Sequence, residues 1–382
     1  MPSIPTHLRV KQYIRAELSA WSVPAQWPTE SQLQERYNVS RPTISKALTS
    51  LVAEGVLARV PGHRGFVVVS PETKPREAIL RIGHVAVASS TVSGVPTLDP
   101  RMQRREEGIR RVAERRNCRV LSGMSGLSVS GERAAVADLL SAGVQGLIIS
   151  PLPRSPEEAQ SDYLLHENLG VPVVLAGMVP QGNPHTSVEF DHWQAGYDIT
   201  SRLLSQGHTR IGILTRSNEV YYEPLRERLQ GYKDAHHDHS LSVDPSLVLA
   251  LPPTLSPARR STCLHTTLDT LLDRWLTLPE PPTALLALED LVAIELIELL
   301  QQQGIRVPED MAVFGFGNLE IGQHFRPAFP TTAPDFLRMG ELACTVLLNR
   351  MASGKLPPRT YVLPVPLLLR STPSPSDNKQ KI

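Results

Sequence analysis

The chain has 382 residues, a formal net charge of +1, 41% hydrophobic and 20% charged residues. That is the make-up of a globular protein, not of a polycation or a disordered chain, and the length favours two or more domains. Cys118, Cys263 and Cys344 are widely spaced and odd in number, which excludes a disulfide framework and a cysteine metal cluster.

His7 to Ala20 reads as an amphipathic helix with Leu8, Tyr13, Ile14 and Leu18 on its buried side. Pro24 and Pro28 bracket a loop. A second helix opens at Thr29, the N-cap, with Gln32 in the capping-box position and Leu33 and Tyr37 inward. Asn38 makes the turn. A third helix follows, with Ser40 placed to cap it through its hydroxyl and Pro42 just inside. Ile44, Leu48 and Leu51 recur at helical spacing and face a core. Arg41, Thr43, Ser45 and Lys46 are left exposed, and these residue types bond phosphates and base edges. Glu54-Gly55 stops the helix. Residues 56–60 form a strand, Pro61 to Gly65 a turn, and residues 66–69 pair back. Three helices and a hairpin make a winged helix-turn-helix over residues 1–70. Arg9, Lys11, Arg15, Arg36, Arg41, Lys46, Arg59 and Arg64 face only Glu17, Glu30, Glu35 and Glu54. This local basicity points to nucleic acid as the partner; a helical cap with solvated charges is the plainer alternative.

Trp27-Pro28-Thr29-Glu30, Val39-Ser40-Arg41-Pro42-Thr43, Ala47-Leu48, Leu51, Glu54-Gly55 and the Gly62 to Gly65 turn resemble the winged helix of GntR-type bacterial transcription regulators. The resemblance implies a recognition helix in the major groove and a wing tip, here His63, Arg64 and Gly65, in the adjacent minor groove. Thr29, Ser40, Arg41, Pro42, Thr43, Ser45 and Lys46 then face operator double-stranded DNA. Arg41 matches an arginine that reads guanine. Ser45 stands where many members carry a second arginine.

Residues 71–80, rich in proline and charge, read as a semi-rigid linker. Beyond it strands alternate with helices. Strands are expected at 82–88, 119–121, 146–150 and 171–175. Helices are expected at Asp99-Pro100 to Arg116, at Glu132 to Ala142, and from about 151 to Leu169. The pattern restarts with a helix from Asp191 to Gln206, a strand at 210–214, a helix from Pro224 to His236 and a strand at 246–249. A helix from Leu264 to Leu276, a strand at 284–288, a helix at 289–303 and a strand at 311–315 complete it. The fold class is α/β, with two doubly wound parallel sheets and a ligand cleft at the carboxyl ends of their strands. The arginine-rich run from Arg101 to Arg116 reads as the solvated face of one helix, with Met102, Ile109 and Val112 inward and Glu106, Glu107 and Glu114 as partners; a second nucleic-acid patch is the alternative. His236-His237-Asp238-His239 invites a metal reading, but adjacent histidines do not share a helix face; no metal and no cofactor are expected.

Val188-Glu189-Phe190-Asp191 with Ala195-Gly196, Gln206 to Gly212, Arg228 to Tyr232, Glu289 to Ala293, Gly304 to Phe316, Pro330-Thr331-Thr332, Gly340, Ala343 and Leu367 to Arg370 fall in the order of the LacI-type effector domain. That domain is similar to periplasmic sugar-binding proteins. The resemblance implies a two-lobed domain over residues 81–372. Lobe 1 takes about 81–190 and 333–354, and lobe 2 about 191–332 and 357–372. The chain crosses near Phe190, Thr332 and Leu356, and a disordered tail follows from 373 to 382. It also implies ligand contacts at Ser89, Asp191, Trp193, Tyr221, Arg228, Glu289, Asp290 and Asn318. Arg228 matches the arginine that holds ligand hydroxyls or carboxylate; an inter-helix ion pair with Glu223 is the plainer alternative. Trp193, Tyr221 and Tyr222 serve either as stacking partners for a ring or as core or dimer residues. Glu289 replaces a common asparagine, and Gly317 replaces a common aspartate.

The function this predicts is a ligand-responsive transcription regulator, a repressor, that binds a sugar-like effector and forms a homodimer. The absence of an apolar run in Met1 to Arg15 or of any membrane-length window adds the expectation of a cytoplasmic protein with no membrane partner. No Gly-x-Ser-x-Gly elbow, phosphate loop or lysine in a cofactor setting supports an enzyme. A solute-binding protein without DNA binding is the remaining alternative.

Overall fold

The computed structural model describes residues 6–18, 28–54, 56–59, 66–68, 80–87, 90–92, 95–97, 100–126, 128–216, 223–251, 260–287, 289–353 and 357–370. The expectations for Gly55, for the wing tip at His63, Arg64 and Gly65, for the linker from 71 to 79, for Ser89, Tyr221 and Tyr222, and for the tail lie outside those residues. The chain divides into two compact units, Met1–Ile79 and Leu80–Ile382.

The first unit contains α1 (Thr6–Leu18), α2 (Glu30–Tyr37), α3 (Arg41–Ala53), β1 (Leu57–Arg59) and β2 (Phe66–Val68), the two strands pairing antiparallel. Thr29 and Gln32 close the expected capping box. Asn38 sits in the left-handed region at φ 49° and turns the chain into α3. Ile44, Ala47, Leu48 and Leu51 of α3 close on Val10, Ile14, Leu33 and Leu57. Two expectations are corrected. Leu8 and Tyr13 are 39% and 57% exposed, because Val10 and Ile14, four residues apart, set the buried line of α1 and the other two fall off it. Ser40 stands at the N-cap, but its hydroxyl bonds the Thr43 hydroxyl at 2.9 Å rather than a helix N–H.

The second unit opens with β3 (Leu80–Ala86), the hairpin of β4 (Ser90–Val92) and β5 (Val95–Thr97), α4 (Pro100–Arg115), β6 (Cys118–Met124), α5 (Val129–Ser141) and β7 (Leu147–Ile149). α6 (Pro156–Gln160), α7 (Tyr163–His166), β8 (Val173–Ala176), β9 (Thr186–Phe190), α8 (His192–Ser205), β10 (Ile211–Arg216) and α9 (Glu223–Asp238) follow. Then come β11 (Val248–Leu251), α10 (Arg260–Leu276), β12 (Ala284–Leu286), α11 (Asp290–Gln302), β13 (Ala312–Phe314) and α12 (Glu320–His324). The last elements are β14 (Thr331–Thr332), α13 (Phe336–Ser353), β15 (Thr360–Leu363) and β16 (Leu367–Leu368).

Among the described residues, one sheet runs β15-β9-β8-β7-β3-β6 and a second β11-β10-β12-β13. Every pairing within both is parallel. Successive side chains of a strand face opposite ways. Ile82, Ile148 and Val174 therefore meet α4 and α13 through Ile109, Met339 and Leu347. Val85, Leu147, Ile149 and Leu175 meet α5 through Val136 and Leu139. In the second sheet Leu214, Leu285 and Val313 pack on α10 and α11, while Ile211, Ile213 and Phe314 pack on α8 and α9. Burial on both faces is what an all-parallel sheet requires.

The lobes join where β9 passes into α8, where β14 leads to α13, and where β15 leads to β16; β14 and β16 pair antiparallel between them. The expected third crossing near Leu356 is moved. β15 lies beside β9 in the first sheet, so the chain crosses after Leu363 and residues 360–363 belong to lobe 1. The helix expected from about 151 to Leu169 is two short helices, because Asp162 starts a fresh turn by accepting the Leu164 N–H. His236 is buried, with its Nδ1 on the Tyr232 carbonyl at 2.9 Å, whereas His237 and His239 are exposed. No helix among the described residues is long and apolar enough to cross a membrane.

Candidate functional site

Burying Ile44, Ala47, Leu48 and Leu51 forces the remaining faces of α3 outward. Thr29, Ser40, Arg41, Pro42 and Lys46 are exposed, and Thr43 and Ser45 are half-buried beside them. Arg41 is the first residue of the helix, and its Nε lies 3.8 Å from a Glu30 carboxylate oxygen. Three other cations of this unit are engaged locally: Lys11 and Arg15 with Glu54, and Arg36 with Glu17. Hydroxyls and two cations along the outward face of α3 suit phosphates and guanine edges.

In the second unit the carboxyl ends of both sheets bring together groups from far apart in sequence. Arg228 of α9 is half-buried. Its Nε donates to His192 Nδ1 at 3.4 Å, and its guanidinium carbon lies 3.2 Å from the centre of the Phe316 ring. Arg228 and Phe316 line a cavity with Leu214, Leu225, Leu286 and Phe314. Glu223, the alternative partner expected for Arg228, lies 3.9 Å from Arg226. Asp191 caps α8, accepting the Gln194 N–H at 2.8 Å, directly at the first crossing. Glu289 reaches across the cleft to Arg101 of α4 at 3.3 Å, tying the rim of lobe 2 to lobe 1.

The other expected ligand residues are placed differently. Asp290 is fully buried; it accepts the Thr331 hydroxyl at 2.5 Å and the Leu319 N–H at 2.6 Å, bracing the loop after β13. Burial pushes its carboxyl up, and those two hydrogen bonds oppose the shift. Asn318 accepts from Arg370 at 2.6 Å. Trp193 does not join Arg228: its ring stacks on Tyr197, and its Nε1 donates to Asp234 at 2.8 Å.

Sequence reasoning missed Arg101, Arg105, His192 and Phe316. Most of the arginine run is solvated as expected, with Arg110 on Glu106, Arg104 and Arg111 on Glu107, and Ile109 and Val112 inward. Arg105 is the exception. It is buried at the carboxyl ends of β7 and β8, where it donates to the Ser150 hydroxyl at 2.6 Å and the Ala176 carbonyl at 2.7 Å. The signal was present: Arg101, Arg105, Ile109 and Val112 form one helical stripe.

α8 and α9 approach closely at this site because Gly196 and Gly231 face backbone. A Cβ on Gly196 would lie 2.3 Å from the Arg228 carbonyl oxygen, and one on Gly231 would lie 2.1 Å from that of Trp193. Gly196→Ala is therefore expected to push the helices apart, costing about 1–3 kcal/mol and lowering the thermal midpoint by a few degrees. An unchanged midpoint would show the contact is slack.

Glu227 sits among carboxylates. Its own is pushed up to about 7 by burial first, then by the charges of Glu223, Glu189 and Asp191, with Arg228 pulling the other way. Above its unfolded value near 4.5 the folded state resists ionisation, so stability falls as pH rises from about 4.5 to 7 and then levels. Glu227→Gln removes that cost. The group is only half-buried, so screening leaves on the order of 1–2 kcal/mol. A higher unfolding midpoint at pH 8 with no gain at pH 4.5 is expected. Equal shifts at both would rule out the charge as the cause.

Residues 6–68 match the family of bacterial regulatory proteins, gntR family, and residues 200–372 match the periplasmic binding protein-like domain. The HTH-type transcriptional repressor PurR of Aliivibrio fischeri is 30% identical over 212 residues, 55% of this chain and 59% of that protein. The chain thus spans about three-fifths of that relative's length. The arabinose metabolism transcriptional repressor of Geobacillus stearothermophilus is 24% identical over 354 residues, 91% of each chain. The solved complex of the transcriptional regulator CelR with cellobiose superposes with a TM-score of 0.63 at 23% identity, covering 87% of this chain and 91% of that one. At that identity the likeness is one of fold.

Proposed function

The chain joins a gntR-family winged helix to a LacI-type, periplasmic-binding-protein-like domain, and from that premise we propose a one-component transcription repressor whose hold on operator DNA is set by a small molecule in the inter-lobe cleft. The observation that carries this reading is the pairing, in one chain, of an exposed cationic helix with two parallel-sheet lobes that the Arg101–Glu289 ion pair ties together, the second of which holds a cavity lined by Arg228 and Phe316. Arg41 and Lys46, with Thr29, Ser40, Thr43 and Ser45, face the operator. Arg228, Asp191 and Glu289 hold the effector, while Asp290 and Asn318 brace the loop behind them.

The effector is a sugar or sugar derivative. The similar arabinose metabolism repressor and the cellobiose complex of the same fold support that class. A guanidinium fork gives bidentate contact with neighbouring hydroxyls or a carboxylate. Gly317 offers no side-chain acceptor, so recognition leans on Arg228 and Glu289. The protein acts as a homodimer on a two-fold operator, in the cytoplasm, and carries out no catalysis.

Effector and operator must influence each other by the same factor, typically ~1–3 kcal/mol or roughly 5–150-fold. Titrating L-arabinose, D-ribose and cellobiose by calorimetry, with and without a duplex selected from random sequence, tests this. A sugar whose affinity changes when DNA is bound supports the switch, and one whose affinity is identical in both cases removes it.

A further inference from the structure

Resting on that reading of the cleft, we propose that His192 is a positioning residue for effector recognition: with Phe316 it presents the Arg228 guanidinium to the cleft and ties that grip to the segment where the chain crosses between lobes. His192 is the first residue of α8, next to the crossing residue Asp191. Its ring lies 6.1 Å from that of Phe190 on the lobe 1 side and 5.6 Å from that of Phe316 on the lobe 2 side. Phe190 in turn meets Phe336 edge-on at 5.0 Å, and Phe336 lies under the Arg105 guanidinium at 5.6 Å. A row of rings thus runs through the hinge, with Arg228 at one end and the buried Arg105 at the other.

Within this row Arg228 is held from two directions. Phe316 covers one face of the guanidinium, and His192 Nδ1 accepts from its Nε and Nη2 edge, both at 3.4 Å. An acceptor at Nδ1 requires a neutral imidazole. Burial first, then the Arg228 charge, hold the ring's pKa well below its ordinary value and keep that lone pair available. A free arginine has many rotamers, and fixing one beforehand spares the effector that ordering cost. Because the ring is one residue from the crossing, rotation of the lobes carries it, and Arg228 follows.

The test uses the full chain labelled with 15N-arginine. The Nε–H signal of Arg228, identified by its loss in Arg228→Lys, is expected upfield under the Phe316 ring current. His192→Phe keeps a ring but removes the acceptor, and the signal should move to the position of mobile arginines. His192→Asn restores an acceptor near the Nδ1 position and should return it. In calorimetry with L-arabinose, D-ribose and cellobiose, a sugar that binds the wild type should bind His192→Phe about tenfold more weakly and His192→Asn nearly normally. His192→Phe combined with Arg228→Lys should be no weaker than Arg228→Lys alone. A merely structural role would lower stability without this rescue or this non-additivity. If His192→Phe does not fold, His192→Leu replaces it. An Arg228 signal unmoved by loss of the acceptor, or unchanged sugar affinity, overturns the proposal. If no sugar binds the wild type, the sugar reading of the cleft fails, while the arginine signal still decides the role of His192.

Discussion

Replacing Arg154 by methionine is expected to destabilise the second unit by about 3–5 kcal/mol, since removing one partner strands buried charge. The Arg154, Glu132 and Asp162 side chains are at most 2% exposed. Arg154 reaches Glu132 through Nη2 at 2.6 Å and Nη1 at 3.2 Å, and Asp162 through Nε at 2.8 Å. Two carboxylates share one guanidinium, and the surplus negative charge is met by hydrogen bonds. Glu132 also accepts from the Tyr163 hydroxyl at 2.9 Å and the Leu152 N–H at 2.8 Å, and Asp162 accepts from the Leu164 N–H at 3.0 Å. Burial works against the Arg154 charge, but Glu132 and Asp162 more than offset it and raise its pKa. Burial, then the Glu132 charge, raise the Tyr163 pKa and keep that hydroxyl a donor.

Without Arg154 the two buried carboxylates lose the cation they share, and that stranded charge is the source of the loss. The double variant Arg154→Met with Glu132→Leu should be more stable than Arg154→Met alone, because it removes one stranded charge. Denaturant unfolding of the single and the double variant at pH 7 reads both effects. A loss below about 1 kcal/mol at pH 7 would falsify the account. The consequence reaches the cleft, because this network pins the loop after β7, and Ser150 at its start holds Arg105.

None of that network is visible in the sequence. Glu132 lies on α5, Arg154 in the loop after β7, and Asp162 and Tyr163 at the start of α7, and no periodicity links the three places. What was legible was what periodicity encodes. Apolar runs such as Leu147–Ile149 and Ala284–Leu286 are strands buried on both faces, and their alternation with helices fixed two parallel sheets. Thr29 and Gln32 announced a helix start because a capping box is a local interaction between residues three apart. Non-local choices were not legible. Ser40 has the right residue type for a cap, yet its hydroxyl goes to Thr43. β15 joins the first sheet by pairing with β9, from which it is separated by most of lobe 2 and by α13, so the position of the third crossing is decided by a contact no window contains. For the site, the family resemblance led to Arg228 and Asp191. Type alone could not show that Asp290 would be consumed by Thr331 and Leu319, or that an arginine in a solvated run would turn inward.

The second large effect is expected at the operator. Arg41→Ala should abolish preference for the selected duplex over random DNA, a loss of ~1–3 kcal/mol or roughly 5–150-fold, if its guanidinium makes the bidentate contact with guanine proposed for it. The geometry separates this from a folding defect. The Arg41 side chain is 78% exposed, and its approach to Glu30 at 3.8 Å is a loose surface pair, worth little to stability. The core of the unit, from Ile14 to Leu51, does not involve it. Lys46→Ala provides the contrast. A lysine on phosphate adds affinity without reading sequence, so its removal should weaken selected and random duplexes alike and reduce the salt slope by about 0.9. Competition binding of both variants at two salt concentrations distinguishes a base reader from a phosphate anchor. If Arg41→Ala retains its preference and merely binds more weakly at every salt, Arg41 belongs with Lys46, and sequence must be read elsewhere on α3.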